Sequence, residues 1–449
     1  MSSPEPAAPG TPGGAPLALL GGRLLDQSGE RRGDVLVLDG VVREVGEGLA
    51  APSGAAVLDC SGAVVGPGLV DLHTHLREPG GERAETVESG SRAAALGGYA
   101  LVVAMPNTRP AIDSASIVRD IRELAKRALC AVEVAGAITK GRAGTHLAAI
   151  GEMAALGVVL FTDDGTGVQD GGLMRRALEY AGDLGVVLAQ HCEDSSLAAG
   201  GHMHEGAVSA RLGISGQPAL AEEQMLARDL ALVSLTGSPM HFLHLSTAGS
   251  IALIAAAKRD GLPVTAEATP HHLLLTDELV ESYDAVFKVN PPLRTATDAA
   301  AVREGVRRGA IDAIATDHAP HPPERKEEPF DLAPPGMTGL ETALAVAHTV
   351  LVAEATDAPP LSLVELFALL SWQPAAIARV TDRGYGGPIV PGAPAHLVVF
   401  DPSERWKVVA ADSASRSRNT PFAGRELTGR VRHQLHHGEA VVASGKATR

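Results

Sequence analysis

"PGLVDLHTHLREPG", residues 67–80, decides the architecture: an apolar run, Leu69–Leu72, gives way to two histidines, His73 and His75, and then to a polar loop bounded by Pro79 and Gly80. At the end of a strand, residues two apart point to the same side, so both imidazoles can face one cation. An isolated His-x-His pair is weak, and the rest of the chain has to supply the context. Seven further short runs follow, at Ala100–Met105, Ala131–Ala135, Val158–Phe161, Val186–Ala189, Met240–Leu243, Pro263–Ala266 and Ile311–Ala315. Each leads into a loop, and most then into an Ala/Leu/Arg-rich stretch of helical period. Eight such βα units predict a closed (β/α)8 TIM barrel over residues 67–385.

Polar residues follow these runs at corresponding places. Asp163 and Asp164 come after the fourth, His191 after the fifth, His244 at the end of the sixth and Asp317 after the eighth. In a barrel the carboxyl ends of all strands share one rim, where active sites of this fold lie. Imidazole and carboxylate without thiolate suit Zn²⁺, Mn²⁺ or Co²⁺. Counting one of the two adjacent aspartates, six donors exceed the three or four of a single catalytic zinc, so two ions about 3.5–4 Å apart and bridged by a carboxylate fit better. Such ions bring a water to a pKa of about 7 and polarise a carbonyl, which points to amide hydrolysis. Asp163 and Asp164 lie on opposite sides of the chain, and spacing alone does not choose between them. Cys192, beside His191, reads as a packed neighbour, and His271 and His272 in "TPHHLLLT" as structural or lid-facing.

The flanks differ from the barrel. Residues 17–66 and 386–449 show alternation and turn residues in phrases such as "GDVLVLDGVVREVG", "HLVVF", "WKVVA" and "RVRHQLHHGEAVV". They predict a small β-sheet, sandwich-like domain built from both chain ends. Residues 1–16, rich in Pro and Gly and without a basic leader, read as a disordered tail. Pro320–Gly339, "PHPPERKEEPFDLAPPGMTG", is too polar and Pro-rich to predict a helix and reads as a lid on the active-site side. The chain carries 38 Lys and Arg against 53 Asp and Glu, a net charge of −15, with 3 % aromatic residues. This balance argues against nucleic acid and against an anionic membrane surface. No apolar run reaches the roughly 18 residues of a membrane span. Three scattered cysteines, Cys60, Cys130 and Cys192, fit neither a disulfide framework nor a thiolate zinc site, and a reducing cytoplasm is the simplest setting. The paired glycines at Gly80–Gly81 and Gly171–Gly172 lack a dinucleotide-binding context, so no organic cofactor is implied.

With these residues assembled, the chain resembles the dihydroorotase family, class I bacterial type, of the amidohydrolase superfamily. The resemblance spans nearly everything after the tail and rests on "PGLVDLHTHLREPG", "MPNTRPAID", "AITKG", "FTDDG", "HCED", "HLST", "TAEATPHHLLLT", "KVNPPLR", "IATDHAPH" and "SRNTPFAG". It implies two Zn²⁺ ions per subunit, one held by His73, His75 and Asp317, the other by His191 and His244, with Asp164 bridging. Many relatives bridge their metals with a carboxylated lysine. Here none of the seven lysines stands in "VVLFTDDG", which sets the chain apart from hydantoinases, dihydropyrimidinases and most allantoinases. The implied reaction is reversible cyclisation of N-carbamoyl-L-aspartate to (S)-dihydroorotate plus water, in pyrimidine (UMP) biosynthesis, with Asp317 as proton shuttle. His75, Arg77, Asn107, Asn290, His321 and backbone groups of Pro335 and Gly336 would contact substrate, and His318 would be structural. The planar fork of Arg77 suits a carboxylate better than lysine would; without the resemblance, a surface ion pair with Glu78 or Glu82 is as natural a role. The small domain departs from the pattern at His396, where relatives usually carry Asp.

Two other readings keep the same residues. One changes the substrate to a hydantoin or allantoin; the other makes the chain an inactive scaffold for aspartate carbamoyltransferase. The retained Arg77, Asn107 and aspartate bridge weigh against the first, and the full ligand set against the second. The partners implied are a small-molecule substrate, a second copy in a homodimer and, by analogy, aspartate carbamoyltransferase.

Overall fold

The computed structural model describes residues 16–355 and 358–449, so all but the last residue of the 1–16 tail lies outside the described residues. Eight parallel strands, Leu69–Thr74, Tyr99–Ala104, Ala131–Val134, Leu160–Thr162, Val187–Gln190, Met240–Phe242, Val264–Ala268 and Ala313–Ile314, form the centre of the molecule. The first three pair in order and the last five pair in order. Two parallel bridges close the cylinder, Gly136 with Phe161 and Thr74 with His318. Each strand coincides with one of the runs read from the sequence, and each is followed by a helix, from Val87–Leu96 after the first to Ala343–His348 after the eighth.

Alternation along the strands explains the layering. On the second strand Leu101 and Val103 join one apolar cluster with Leu72, Leu160 and Ala189, while Val102 and Ala104 join a larger one with Phe161, Phe242 and helix residues such as Leu178 and Leu226. Successive side chains point to opposite faces, so a strand buried on both sides needs apolar residues throughout. Tyr99, Phe161 and Phe242 are among the largest fully buried side chains. Each adds roughly 1.5–3 kcal/mol to the core. The helices start where a side chain can satisfy the first amides. Thr86 accepts from the amide of Ser89, Thr247 from that of Ser250, and Thr295 from that of Asp298. Left-handed Gly185 and Gly237 end two of them, a conformation that costs glycine little.

Both chain ends build one nine-stranded sheet. Its seam is the antiparallel pairing of Val64–Pro67 with Leu397–Lys407, in the register Leu397 to Pro67 and Phe400 to Val64. Leu19, Leu24, Val35 and Val37 from one end and Leu397, Val399 and Leu435 from the other fill its core. Two sequence expectations are corrected in detail. "WKVVA" is only partly strand, because the strand ends at Lys407 and a 3-10 turn, Ala410–Asp412, follows. The lid expected to be free of helix contains one turn, Pro323–Lys326; proline at the start of a helix gives up only an amide that would have no partner there.

Candidate metal centre and substrate pocket

The first strand delivers His73 and His75 to the barrel mouth, where the loops after the fourth, fifth, sixth and eighth strands bring Asp164, His191, His244 and Asp317. All six are buried. Asp164 is central: its Oδ1 lies 3.3 Å from His73 Nε2 and 3.5 Å from both His191 Nδ1 and His244 Nε2, and its Oδ2 lies 3.5 Å from His75 Nε2. Asp317 Oδ1 is 3.0 Å from His75 Nε2 and 3.5 Å from His73 Nε2, and His191 Nδ1 is 2.9 Å from His244 Nε2. His244 and Asp317 both have positive φ, 32° and 44°, as do Arg77 and Arg142 beside them. Backbone held there by non-glycine residues costs about 1–3 kcal/mol each, a strain that collects at functional sites.

The protons of three histidines are accounted for on the outer side of the cluster. His73 Nδ1 donates to Glu267 Oε1 at 2.8 Å, His75 Nδ1 to Asn107 Oδ1 at 2.9 Å, and His191 Nε2 to Glu193 Oε2 at 3.2 Å. In a neutral imidazole the other nitrogen is then a bare lone pair. These inner nitrogens face carboxylate oxygens and one another; His73 Nε2 is buried with no hydrogen-bond partner. Lone pairs crowded at 2.9–3.5 Å without protons between them repel, and a divalent cation is the group that turns this arrangement to attraction. The electrostatics agree. Burial alone would lower the pKa of His73, but Asp164, Glu267 and Asp317 outweigh it and hold the pKa well above the usual value. Burial likewise opposes His191, yet Asp164 and Glu193 raise it to about 10. The pocket therefore draws positive charge, and two overlapping triads, His73–His75–Asp317 and His73–Asp164–His244, are spaced to hold metal.

Asp163 turns the other way, accepting from the amide of Thr139 at 2.9 Å and from its hydroxyl. Cys192 is buried. His318 donates from Nε2 to Glu85 at 3.2 Å and accepts the amide of Gly339 on Nδ1. His272 is held between Thr269 and the carbonyl of Pro291, and His271, buried against it, has an Nε2 without a partner.

Beside the donors lies a cationic wall. Arg77 makes no ion pair with Glu78 or Glu82, which instead accept the amides of Val87 and Gly80. Its Nε donates to the carbonyl of Pro320 at 3.3 Å, and burial lowers its pKa to about 10. Asn107 gives its oxygen to His75, which leaves its amide nitrogen to face the pocket. Gly165 sits between that nitrogen and Arg142: a Cβ there would stand 3.5 Å from Arg142 Nη2 and 3.8 Å from Asn107 Nδ2. Asn290 donates to Glu193 Oε2 at 2.6 Å. In the lid, His321 Nε2 donates to the carbonyl of Pro335 at 2.9 Å, and Asn419 Nδ2 to that of Gly336 at 3.1 Å. The Gly336 amide donates to the carbonyl of Lys288. The lid groups expected to meet substrate thus carry internal bonds, and what they keep to spare is a second lone pair on each carbonyl and the acceptor nitrogen Nδ1 of His321.

Sequence reasoning assigned no role to Glu267, Glu193, Arg142 or Asn419. Glu193, Glu267 and Asn419 stand inside phrases already singled out, "HCED", "TAEATPHH" and "SRNTPFAG", and a carboxylate inside a short strand run was the available signal for Glu267.

The dihydro-orotase-like family profile matches residues 62–250. A dihydroorotase of Streptomyces coelicolor is 50 % identical over 418 residues, 92 % of this chain and 96 % of that protein. One of Mycobacterium tuberculosis is 47 % identical with the same coverage. Among solved structures, a dihydropyrimidinase from Brevibacillus agri superposes with a TM-score of 0.84 at 23 % identity, covering 96 % of both chains. An L-hydantoinase from Arthrobacter aurescens gives 0.84 at 24 %, covering 96 % and 97 %. These structures share the barrel and its attached sheet, whereas the sequence relatives extend to half of all aligned residues, and on that ground the chain belongs to the dihydroorotase family.

Proposed function

We propose that the protein interconverts N-carbamoyl-L-aspartate and (S)-dihydroorotate plus water, the ring-closing step of pyrimidine (UMP) synthesis, in the cytoplasm. The observation that carries this is the ring of imidazole and carboxylate donors converging on Asp164, beside an arginine with free terminal nitrogens. His73, His75 and Asp317 would hold one Zn²⁺, His191 and His244 the other, and Asp164 would span both. Such a pair supplies a water ionised near neutral pH and a polarised amide carbonyl.

The chain's own residues do the rest. Both compounds carry a carboxylate, and Arg77 makes no hydrogen bond with its terminal nitrogens among the described residues, so its fork is open to bind one. The Asn107 amide reaches the same side, and Arg142, which also donates to the carbonyl of Asp164 at 2.6 Å, adds positive charge. Burial disfavours an ionised Asp317, but the His75 and His73 rings beside it outweigh burial and hold its carboxyl well below the usual range. It is therefore ionised at neutral pH and can take the proton of the attacking water on Oδ and return it to the departing ring nitrogen; cyclisation reverses the transfer. Asn290 and His321 line the ring from the lid side.

The test is turnover of dihydroorotate, hydantoin and allantoin by zinc-loaded protein, before and after chelation. Dihydroorotate turnover that is lost on chelation supports the proposal. Preference for another ring, or an inert protein that binds no metal, overturns it. Asp317→Asn is expected to abolish turnover, by at least the roughly 10²–10⁴-fold that a positioned acid–base group contributes.

A further inference from the structure

A second group of imidazoles lies away from the barrel mouth. His396 precedes the strand Leu397–Lys407, and its carbonyl accepts the amide of Gly68, just before the first barrel strand. His73 is five residues further along that strand, roughly 17 Å away at a strand's rise. Opposite His396, the strand Glu426–His436 ends at His436, because the register pairs Leu397 with Leu435. His437 and Gly438 then form a two-residue turn with φ of 47° and 75°. Adjacent residues in an extended strand point apart, and it is the left-handed turn at His437 that brings its ring back beside His436.

The ring centroids of His396, His436 and His437 are 4.3–4.9 Å apart, and one nitrogen from each lies within 4.8 Å of the others. Two buried ring nitrogens have no partner: His396 Nε2, on a residue 2 % exposed, and His436 Nδ1. His396 Nδ1 accepts the amide of His437 at a long 3.3 Å, which leaves the ring proton on Nε2 as a buried donor without an acceptor. Nothing in the catalytic reading uses these groups.

We propose that His396, His436 and His437 form a separate transition-metal site of three imidazoles with an open fourth position. Ligation through His396 Nε2 moves the ring proton to Nδ1; it gives up the long bond from His437 and removes the unmet buried donor. Zn–N distances of about 2.0–2.1 Å imply nitrogens roughly 3.3 Å apart, so the cluster must contract. His437, the exposed member, is free to move in. An all-imidazole set suits Zn²⁺, Co²⁺, Ni²⁺ or Cu²⁺ and not Mg²⁺ or Ca²⁺. The turn is preorganised, because Gly438 donates its amide to the carbonyl of Ala395 at 3.0 Å. Tyr385 stacks on His396 at 4.4 Å, and the nearby charges are internally paired, Arg383 with Glu133 and Arg449 with Glu439.

The test counts bound metal on the full chain with its active-site ions already in place, at equilibrium with micromolar Zn²⁺ and, separately, Co²⁺. Wild type is expected to hold one equivalent more than His437→Asn or His436→Gln, with dihydroorotate turnover equal in all three. His437→Asn serves because Asn-Gly favours this turn, so folding is preserved while a ligand is lost. The affinity lost with that ligand should exceed the about 10–100-fold that an outer hydrogen-bond partner costs. Equal metal counts in all three proteins overturn the proposal. So does an extra equivalent that disappears with His73→Ala and persists in His437→Asn.

Discussion

Replacing Glu267 separates the two things it does for the metal centre. Its Oε1 accepts from His73 Nδ1 at 2.8 Å and its Oε2 from His241 Nε2 at 3.1 Å, while His241 Nδ1 faces the hydroxyl of Thr265 at 2.8 Å. In Glu267→Gln the amide oxygen can stay on His73 if the amide nitrogen takes the His241 side. His241 then accepts on Nε2 and donates from Nδ1 to Thr265, whose hydroxyl can reverse. His73 keeps the tautomer that leaves Nε2 bare, and the loss is the change from a charged to a neutral acceptor. A hydrogen bond to a charged group contributes about 1.5–3 kcal/mol against about 0.5–1.5 for a neutral one. Roughly 1–1.5 kcal/mol follows, about a tenfold drop in cation affinity. In Glu267→Leu both ring donors lose their acceptor inside the core, and nothing fixes the proton of His73. The affinity loss should then reach the upper end of the about 10–100-fold expected for such partners, with a fall in stability of about 1–3 kcal/mol for each unmet donor. Competition with a chelator at neutral pH measures affinity, and turnover at saturating Zn²⁺ shows whether the centre works once filled. Gln and Leu variants that hold cation equally well, or a Gln variant weaker than the Leu one, would refute the tautomer argument.

Arg77→Lys keeps the charge but loses the planar fork, and kcat/KM for dihydroorotate should fall by roughly 10–100-fold, as a charge-assisted hydrogen bond of about 1.5–3 kcal/mol implies; steady-state kinetics with an unchanged metal count check this. Asp26 fastens the first hairpin to the C-terminal end of the chain, its Oδ2 accepting from Arg31 at 3.0 Å and from the amide of Ile389 at 3.0 Å. Burial raises its pKa, yet Arg31, Ser28 and the Ile389 amide outweigh burial and bring it down to about 2. A depressed carboxyl gives stability that is present above the unfolded value of 3.8 and lost as pH falls through about 2. Asp26→Asn should therefore remove about 1–2 kcal/mol at neutral pH and little at the acid end, as denaturant midpoints across that range would show.

The barrel was legible because period and place agree: most strands are short runs buried on both faces, and five of the eight runs end in a loop carrying a candidate ligand to one rim. The same physics stops short at Asp163 and Asp164. Adjacent residues face opposite ways, but which one faces the mouth depends on how the fourth strand is rotated, and that is set by Phe161 and the third-strand pairing. Family resemblance favoured Asp164, and the geometry has Asp163 occupied by Thr139. Glu267 went unassigned because a carboxylate in a strand reveals its role only once the strand is rolled into a cylinder and His73 lies across from it. The turn at Pro323–Lys326 was hidden by prolines that stop a long helix but permit the start of a short one.

The small sheet reaches the site itself. A segment leading to "SRNTPFAG" crosses the rim, where Ser415 and the amide of Arg416 bind Glu85, and Ser417 donates to the carbonyl of Ala84 at 2.8 Å. Asn419 then ties the lid: it donates to the carbonyls of Ala319 and Gly336 at 3.0 and 3.1 Å and accepts the amide of His321 at 3.1 Å. Lys326 closes the other side, donating to the carbonyls of Ala285, Lys288 and Pro334. Held in this way, the His321 ring donates to Pro335, and burial, with Arg77 next, lowers its pKa to about 3. A ring that stays neutral from well below neutrality upward, with its one proton committed to a carbonyl, orients and packs but does not exchange protons during a cycle. His318 is committed to Glu85 and Gly339, and Asp163 to Thr139. Burial opposes the ionisation of two carboxylates at the mouth, Asp164 and Asp317, yet the rings around them hold both below the usual range. Asp164 meets four imidazoles and Asp317 two, so the proposed proton transfer is placed on Asp317, the less encumbered of the pair.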